Sequence, residues 1–467
     1  MVFSAPAFLF LFLPVVLALV AVLPWRWQNW MLLAASAAFY IWGAGGNVVT
    51  ILYICGVGFV GAFLILRSRT SSRRIQRCVA AAVLLAAAVP LVLQKYLPVA
   101  LETIGAKGAF NWALALGVSF ITFHSISYLI DVKRGLIEPE RNAKDFFLYL
   151  FLFPHQIAGP IVRYSEIVDE IKARPRPSVG RVGYGASRFV WGLFKKTFIA
   201  DNVAVLVATV DGLPAGQGSA TTAWIGAFAF ALQIYFDFSG YSDMAIGIAA
   251  MLGFHFPENF AGPYRSISVT EFWRRWHMTL SRWFRDYVYI PLGGNRHGRT
   301  REYVALIITF SLTALWHGST WPFLIWGLVH SAALVVERVT GLRDSARFVV
   351  ARRIGMAIFI IVSWVPFHAP SLTDALRQWK LMAGLNFAAP PPGVILALTP
   401  LVLAAGAIGT LTFFLPAGRR TGFAMLFSNR LGRIRPLAAA WAMPLLLLCS
   451  VTMITWQDYS PFLYFAF

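Results

Sequence analysis

The chain contains an uninterrupted apolar run, VVTILYICGVGFVGAFLI at positions 48–65, and the strongly basic segment RSRTSSRRIQR follows at positions 67–77. A run of this length is close to the roughly 20 residues that an α-helix needs to cross a bilayer. The basic segment holds five arginines in eleven residues, and basic loops remain on the cytoplasmic side of membrane helices. The pair therefore predicts a transmembrane helix that ends at a cytoplasmic loop.

The composition of the whole chain agrees with this prediction. Of its 467 residues, 58% are hydrophobic and only 13% are charged, whereas a soluble domain carries roughly 25% charged residues. Apolar runs of about 15–22 residues fit membrane helices and not the short alternating strands of membrane barrels. The composition excludes a soluble globular enzyme and a disordered chain, and it predicts a single all-α polytopic membrane domain over residues 1–467.

The chain is also strongly basic, with 40 Lys and Arg residues against 20 Asp and Glu, a net charge of +20. In a membrane protein such an excess belongs first to cytoplasmic loops, so we expect contact with membrane lipid and not with nucleic acid. Cys55, Cys78 and Cys449 lie in or beside apolar runs, without a CxxC pair or a neighbouring histidine. A disulfide framework and a metal site are therefore not expected.

Alternation of apolar runs and basic loops predicts about 11–13 membrane helices. Two apolar segments do not fit a simple crossing. The first, Phe146–Ile161, lies between the basic loop Asp131–Asp145 and the basic stretch Arg163–Arg188. The second, Phe238–Phe254, is followed by the basic stretch Arg265–Arg301. We predict that both are re-entrant or half-buried segments, which are tolerated only inside protein or along a cavity.

Polar residues in an apolar interior are costly and mark functional candidates. Asp237, Ser239 and Tyr241 interrupt the apolar sequence beside the second re-entrant segment. They would line a cavity, or they would mark a helix break in which Asp237 is a cap or is paired. His155 and Gln156 lie in the first re-entrant segment, where they are predicted to line a cavity together.

A basic amphipathic helix at the membrane interface is predicted after the capping-box sequence Ser268–Glu271. From there to Tyr287, aromatic and leucine residues recur at three- and four-residue spacing, which forms one apolar stripe of a helix. Arg274 and Arg275 lie off the stripe, as expected at an interface. His277 falls on the stripe and points toward protein or lipid, either as a site residue or as a satisfied core histidine.

A further candidate lies in LWHGSTW at positions 315–321, where His317 ends a short apolar run. An imidazole at membrane depth needs a partner or a water-filled cavity. With a reference pKa of about 6.5, it is uncharged near neutral pH and suited to general-base catalysis. His317 is therefore a candidate base, and a structural histidine at a helix end is the alternative.

These motifs together resemble those of the membrane-bound O-acyltransferase (MBOAT) family, and within it the bacterial branch that O-acetylates alginate. The resemblance extends over nearly the whole chain. Its motifs are GVSF at 117–120, SYLID at 127–131, FPHQIAGP at 153–160, YFDFSGYSDMA at 235–245, EFWRRWH at 271–277, LGGN at 292–295, LWHG at 315–318 and the aromatic tail PFLYFAF at 461–467.

The resemblance implies acyl transfer across the membrane to a hydroxyl group. It implies that His317, next to Trp316 in the Trp-His-Gly motif, is the catalytic histidine. It also implies that His277 is the second signature residue, which would bind or polarise the acyl carbonyl. Arg274 and Arg275 would meet the phosphates of coenzyme A, although positive-inside topology alone also explains them.

The resemblance further implies acetyl-CoA or another cytoplasmic thioester as donor, with no bound cofactor or metal. It implies a location in the bacterial inner membrane and an exported polysaccharide, such as alginate, as acceptor. The acetyl group would reach the polymer directly or through extracytoplasmic acetyl-relay or acetyltransferase proteins, for which the outside aromatic tail would be a docking segment.

Other functions remain open at this point. Within the enzyme class, the acceptor would be peptidoglycan or cellulose, or the transferred group would be D-alanyl and the acceptor teichoic acid. Outside that class, transporters also use broken helices, and a transporter predicts flux without acyl turnover. A non-catalytic scaffold of a secretion complex predicts that neither His277 nor His317 matters.

Overall fold

A computed structural model of the chain describes residues 2–44, 47–106, 114–174, 176–214, 216–342, 348–414, 434–456 and 462–463. Within these ranges the secondary structure is helical and contains no strands. The chain divides into two compact units. One unit is Met1–Phe189 with Met244–Pro257, and the other is Val190–Asp243 with Glu258–Phe467. The all-α architecture predicted from the composition is confirmed.

The first unit contains a cluster of phenylalanine rings near the start of the chain, among them Phe3, Phe8 and Phe39. Its helices are α1 (Leu13–Val22), α2 (Trp25–Ala44), α3 (Val48–Ser68), α4 (Arg73–Leu91), α5 (Leu97–Thr103), α6 (Val118–Arg134), α7 (Ala143–Phe151), α8 (Tyr164–Ala173) and most of α9 (Val179–Phe194). Turns of π-helix at Phe8–Phe12 and Val92–Tyr96 adjoin α1 and α4.

The second unit contains the candidate catalytic histidines. Its helices are α10 (Asp201–Asp211), most of α11 (Ala220–Met251), α12 (Val269–Arg275), α13 (Met278–Phe284), α14 (Arg299–His317), α15 (Trp321–Thr340), α16 (Val349–His368), α17 (Leu372–Ala383), α18 (Pro392–Ala397), α19 (Pro400–Phe414) and α20 (Ile434–Trp456). A turn of 3₁₀-helix at Pro263–Arg265 precedes α12, and turns of π-helix at Lys195–Ala200 and Arg285–Tyr289 precede α10 and follow α13.

Among the described residues, four helices are long and apolar enough to cross a membrane: Val48–Ser68, Arg73–Thr103, Trp321–Thr340 and Val349–His368. Shorter apolar helices are Phe8–Val22, Pro400–Leu411 and Trp441–Trp456. The first long helix is the span predicted from the apolar run at 48–65, and it ends where the arginine-rich segment begins. The chain is therefore a multi-pass membrane protein.

The first predicted re-entrant segment is a short helix followed by buried irregular backbone. Helix α7 ends at Phe151, and the chain remains buried without helical structure as far as Val162. Buried N–H groups need partners, and side chains supply them here. Ser36 Oγ accepts a hydrogen bond from the N–H of Phe153 at 3.1 Å, and His124 Nε2 accepts one from the N–H of Val162 at 3.2 Å.

The region of the second predicted segment differs from the expectation. No helix break occurs between Asp237 and Asp243, because α11 runs unbroken from Ala220 to Met251. The carboxylates of Asp237 and Asp243 are paired with buried lysines. A polar residue does not have to break an apolar helix when an oppositely charged partner compensates its burial.

Candidate active site

His317 is the last residue of α14 and is 3% exposed. Three aromatic side chains surround its ring. The centroid of the His317 ring lies 4.7 Å from the ring centroid of Trp316, 5.3 Å from that of Trp326 and 5.1 Å from that of Phe367. The helix end therefore carries an imidazole into a buried aromatic enclosure, where water has little access.

The predicted amphipathic helix is interrupted at His277. Ser268 caps its first part as predicted, and its Oγ accepts a hydrogen bond from the N–H of Glu271 at 3.0 Å. However, α12 ends at Arg275 and α13 begins only at Met278. Between them, His277 has a left-handed backbone with φ of +42°, which costs a residue with a Cβ roughly 1–2 kcal/mol. Strained residues of this kind are concentrated at functional sites.

The side chain of His277 is fully buried among aromatic rings. Its centroid lies 4.7 Å from that of Phe238 and 6.2 Å from that of Trp316. Trp316 also contacts the ring of His317, so one indole lies beside both histidines. His277, Trp316 and His317, which lie in separate motifs of the sequence, come together in one aromatic site.

Asn259 holds the residues at the helix break. Its Oδ1 lies 3.0 Å from Nδ1 of His277 and accepts hydrogen bonds from the N–H and hydroxyl of Thr279 at 3.3 and 2.9 Å. Its backbone carbonyl accepts a hydrogen bond from the N–H of Met278 at 2.9 Å. Its Nδ2 donates to Ser242 Oγ at 3.1 Å. One asparagine is thus bonded to three consecutive residues, 277–279.

Asp237 belongs to a buried ion-pair cluster. Lys196 Nζ lies 2.8 Å from Asp237 Oδ1 and 2.7 Å from Asp201 Oδ1. The other oxygen of Asp237 accepts a hydrogen bond from the N–H of Leu463 at 3.0 Å, and Lys196 Nζ lies 4.7 Å from the ring centroid of Phe462. Asp237 is therefore paired, but the helix break that the sequence suggested as the setting of such a pair does not occur. The rest of the aromatic tail lies outside the described residues.

Ser239 and Tyr241 lie beside the same cluster. Lys195 Nζ is 2.6 Å from Asp243 Oδ2 and donates to Ser239 Oγ at 3.2 Å. The ring of Tyr241 meets that of Phe462 edge-on at 4.8 Å. Buried charges are tolerated when they are paired and hydrogen-bonded, so these side chains stabilise a charged interior.

Arg274 and Arg275 have different surroundings. Arg275 pairs with Glu271 at 2.8 Å and donates to the carbonyl of Ala261 at 2.9 Å, which is a structural role. Arg274 lines a cavity of about 530 Å³. The cavity also has cationic, apolar and hydroxyl-bearing walls, which include Arg282, Arg285, Arg338, Leu306, Phe310, Leu334 and Thr313.

His155 and Gln156 belong to the first unit, where they lie in the buried irregular run after α7. His155 Nε2 donates to the carbonyl of Tyr149 at 2.8 Å, and its ring stacks on Phe256 at 5.2 Å. Its centroid is 4.6 Å from that of His124. The pair is a buried polar group of that unit, whereas His277 and His317 belong to the second unit.

Sequence reasoning does not identify Asn259 or His330 as site residues. His330 accepts a hydrogen bond from the indole N–H of Trp273 at 3.3 Å and lies 5.1 Å from Trp326, whose ring also contacts His317. Asn259 lies 18 positions before His277, and no helical or strand period connects them. Within the described residues, no group of three His, Cys, Asp or Glu side chains is arranged to hold a metal ion.

The sequence of this chain is similar to those of known proteins over most of its length. The profile of the MBOAT, membrane-bound O-acyltransferase family matches residues 112–375. The chain is 37% identical to the probable alginate O-acetylase of Pseudomonas putida and 37% identical to that of Azotobacter vinelandii, in each case over 100% of both chains. It is 33% identical to the peptidoglycan O-acetyltransferase of Helicobacter pylori, over 83% of this chain and 80% of that protein. The chain therefore belongs to the membrane-bound O-acyltransferase family and is an O-acyltransferase.

Proposed function

We propose that this chain is an acetyltransferase of the bacterial inner membrane, which moves acetyl groups from cytoplasmic acetyl-CoA to hydroxyl groups of exported alginate. The full-length similarity to relatives named as probable alginate O-acetylases supports both the acetyl group and the polymer. The observation that carries the proposal is the burial of His277 and His317 against the same indole, Trp316.

In this mechanism His317 is the general base. Its imidazole takes the proton of the acceptor hydroxyl while the hydroxyl oxygen attacks the thioester carbonyl. The new C–O bond replaces the C–S bond, and the imidazolium returns the proton to the departing thiolate. The products are an acetyl ester and free CoA. General-base assistance of this kind is typically worth about 10²–10⁴-fold in rate.

The cavity lined by Arg274 is the proposed entry for the donor. Its guanidinium groups suit the phosphates of CoA, because Arg binds phosphate through paired, charge-assisted hydrogen bonds. Its apolar walls suit the neutral chain that carries the thioester. Thr313 lines the cavity and precedes His317 by one turn of α14, a rise of about 6 Å. A donor that fills the cavity therefore approaches the base.

The acceptor is proposed to arrive from the opposite face. Helix α14 has 19 residues between Arg299 and His317 and is therefore about 28 Å long, which places its two ends far apart. Its first residue lies in a basic stretch predicted to be cytoplasmic. The base at its other end suits an acceptor outside the cytoplasm, either the polymer or an extracytoplasmic protein that relays the acetyl group.

The test is the amount of polymer-bound acetyl ester in a strain that lacks its own copy of the gene and carries His317→Gln. We expect the ester to fall by at least 10²-fold, in line with loss of a general base, while polymer export continues. His255→Gln is the matched control, because His255 is exposed, and it should acetylate normally. Unchanged acetylation in His317→Gln at equal protein level would contradict the proposal.

Peptidoglycan is a second candidate acceptor, favoured by the similarity to the Helicobacter pylori enzyme. The same strains distinguish the two acceptors when acetyl ester is measured separately in alginate and in purified cell wall. Loss from the cell wall alone would move the assignment to peptidoglycan. Loss of transport or assembly without loss of ester would favour a transporter or a scaffold.

A further inference from the structure

The two ends of the Asn259 side-chain amide are identified by their partners. The backbone N–H of Thr279 can only donate, and it donates to Oδ1 at 3.3 Å, as the hydroxyl of Thr279 does at 2.9 Å. The opposite atom, Nδ2, donates to Ser242 Oγ at 3.1 Å. The atom that faces His277 is therefore a carbonyl oxygen, which accepts hydrogen bonds and cannot donate them.

This orientation decides which ring nitrogen of His277 carries a proton. Nδ1 lies 3.0 Å from Oδ1, and a hydrogen bond between them forms only when Nδ1 is the donor. His277 lies outside the four candidate membrane spans. Burial lowers the pKa of its imidazole to about 3. A neutral ring with its proton on Nδ1 has a lone pair on Nε2.

We infer that Asn259 is a positioning residue that holds His277 in the Nδ1–H tautomer, so that Nε2 accepts a hydrogen bond from an O–H or N–H group of a substrate. The identity of that substrate rests on the proposed function. This role differs from the polarisation of the acyl carbonyl that the family resemblance implies. A neutral Nε2 without a proton has nothing to donate to a carbonyl oxygen.

Burial also limits what His277 itself can do in the reaction. An imidazole with a pKa of about 3 holds a proton poorly near neutral pH, where an efficient base has a pKa close to the working pH. His277 is therefore suited to orient a substrate group and not to carry its proton away.

The contacts of Asn259 also maintain the backbone that aims the ring. A left-handed conformation at a residue with a Cβ persists only where its surroundings enforce it. Asn259 supplies that enforcement, because it is bonded to the His277 ring, to the N–H of Met278 and to the N–H of Thr279. The backbone carbonyl of Asn259 holds the N–H of Met278, and its side chain holds the ring of His277 and the N–H of Thr279. The side chain thus sets the tautomer of the imidazole and, with the backbone, its direction.

The direct test is NMR of the full-length protein with isotope-labelled histidine ring nitrogens. The signals of His277 are those that disappear in His277→Gln. We expect a protonated Nδ1 and an unprotonated Nε2 throughout the range from about pH 5 to pH 8. A protonated Nε2, or a doubly protonated ring in that range, would overturn the inference.

Asn259→Asp tests the same contact through the pH profile. It keeps an acceptor oxygen and adds a negative charge, which raises the pKa of His277 toward the neutral range. As the pH falls through the raised pKa, Nε2 gains a proton and ceases to accept. We expect acetyl transfer by this variant to fall about tenfold between pH 8 and pH 6 relative to the wild type, whereas a merely structural defect lowers it equally at both pH values.

Asn142→Asp is the matched control. Asn142 caps α7 by accepting from the N–H of Lys144 at 3.1 Å, and Asp caps a helix as well as Asn does, so its pH profile should be that of the wild type. If Asn259→Asp does not fold, the wild-type spectrum still decides the tautomer. Full activity of His277→Gln would overturn the substrate contact, and the proposed function stands or falls separately on His317→Gln.

Discussion

Lys196 and Asp237 meet inside the second unit with almost no access to solvent, since their side chains are 2% and 3% exposed. Each charge compensates the desolvation of the other. Removal of one partner from such a pair is strongly destabilising because it leaves an unpaired buried charge. The same pair contacts Phe462 and Leu463, so its loss also releases the described part of the aromatic tail.

Lys196→Met is therefore expected to destabilise the protein by about 3–5 kcal/mol, measured as a lower unfolding temperature in detergent. Arg377→Met is the matched control, because Arg377 pairs with Asp374 across 3.6 Å at an exposed site, where a pair is worth less than about 1 kcal/mol. An equal effect of the two substitutions would show that the buried cluster adds no stability.

The sequence identifies single residues when a local motif marks them. His317 and His277 lie in short motifs with recognisable spacing, and the structure brings both to Trp316. Asn259, Lys195 and Lys196 carry no such mark. Asn259 lies 18 positions from His277, and Lys195 lies 48 positions from Asp243. Only the packing of several helices brings such residues into contact.

At the scale of helices, α14 and α15 determine where His317 lies. Gly327 of α15 permits their close approach, because a Cβ at this position would lie 2.7 Å from both the Cβ of Ala314 and the carbonyl oxygen of Phe310. Real Cβ atoms do not come so close, so a larger residue must push the two helices apart. His317 lies on α14 and its neighbour Trp326 lies on α15. The distance of 5.3 Å between their ring centroids therefore depends on this packing.

Gly327→Ala is therefore expected to cost about 1–3 kcal/mol of stability, as overpacking typically does, and to lower acetyl transfer by displacing His317. Gly355→Ala is the matched control on α16, because a Cβ at Gly355 would have no atom within 4 Å. At that position alanine should stabilise the helix by about 0.5–1 kcal/mol. Equal activity and stability of the two variants would exclude close packing of α14 and α15 as a determinant of the site.

Helix boundaries are predictable from the sequence only in part. The cap at Ser268 is visible in the sequence and is present in the structure. The break at His277 is not visible, because the three- and four-residue spacing of aromatic residues continues through it. The sequence also does not show that α11 is continuous, because Asp237 and Asp243 suggest a break. In the structure both carboxylates are paired with lysines from another part of the chain, and the helix continues.

For the whole molecule, the composition already determines the class. A chain with 58% hydrophobic and 13% charged residues has too few polar groups for a soluble surface, and the described residues are helical as that composition predicts. The family is indicated by the motifs and not by the composition. The division into two compact units is not indicated by a linker or a change in composition. It depends on contacts between helices, which no local pattern records.

We propose above all that His317 is the general base for transfer of acetyl groups from a cytoplasmic donor to a hydroxyl outside the cytoplasm. This role is tested most directly with membrane vesicles of known orientation, to which isotope-labelled acetyl-CoA is supplied at the cytoplasmic face and polysaccharide, with its partner proteins, at the other. We expect labelled ester on the polysaccharide and an equal release of CoA, both abolished in His317→Gln. Label transfer that persists in His317→Gln, or that requires acetyl-CoA at the external face, would contradict it.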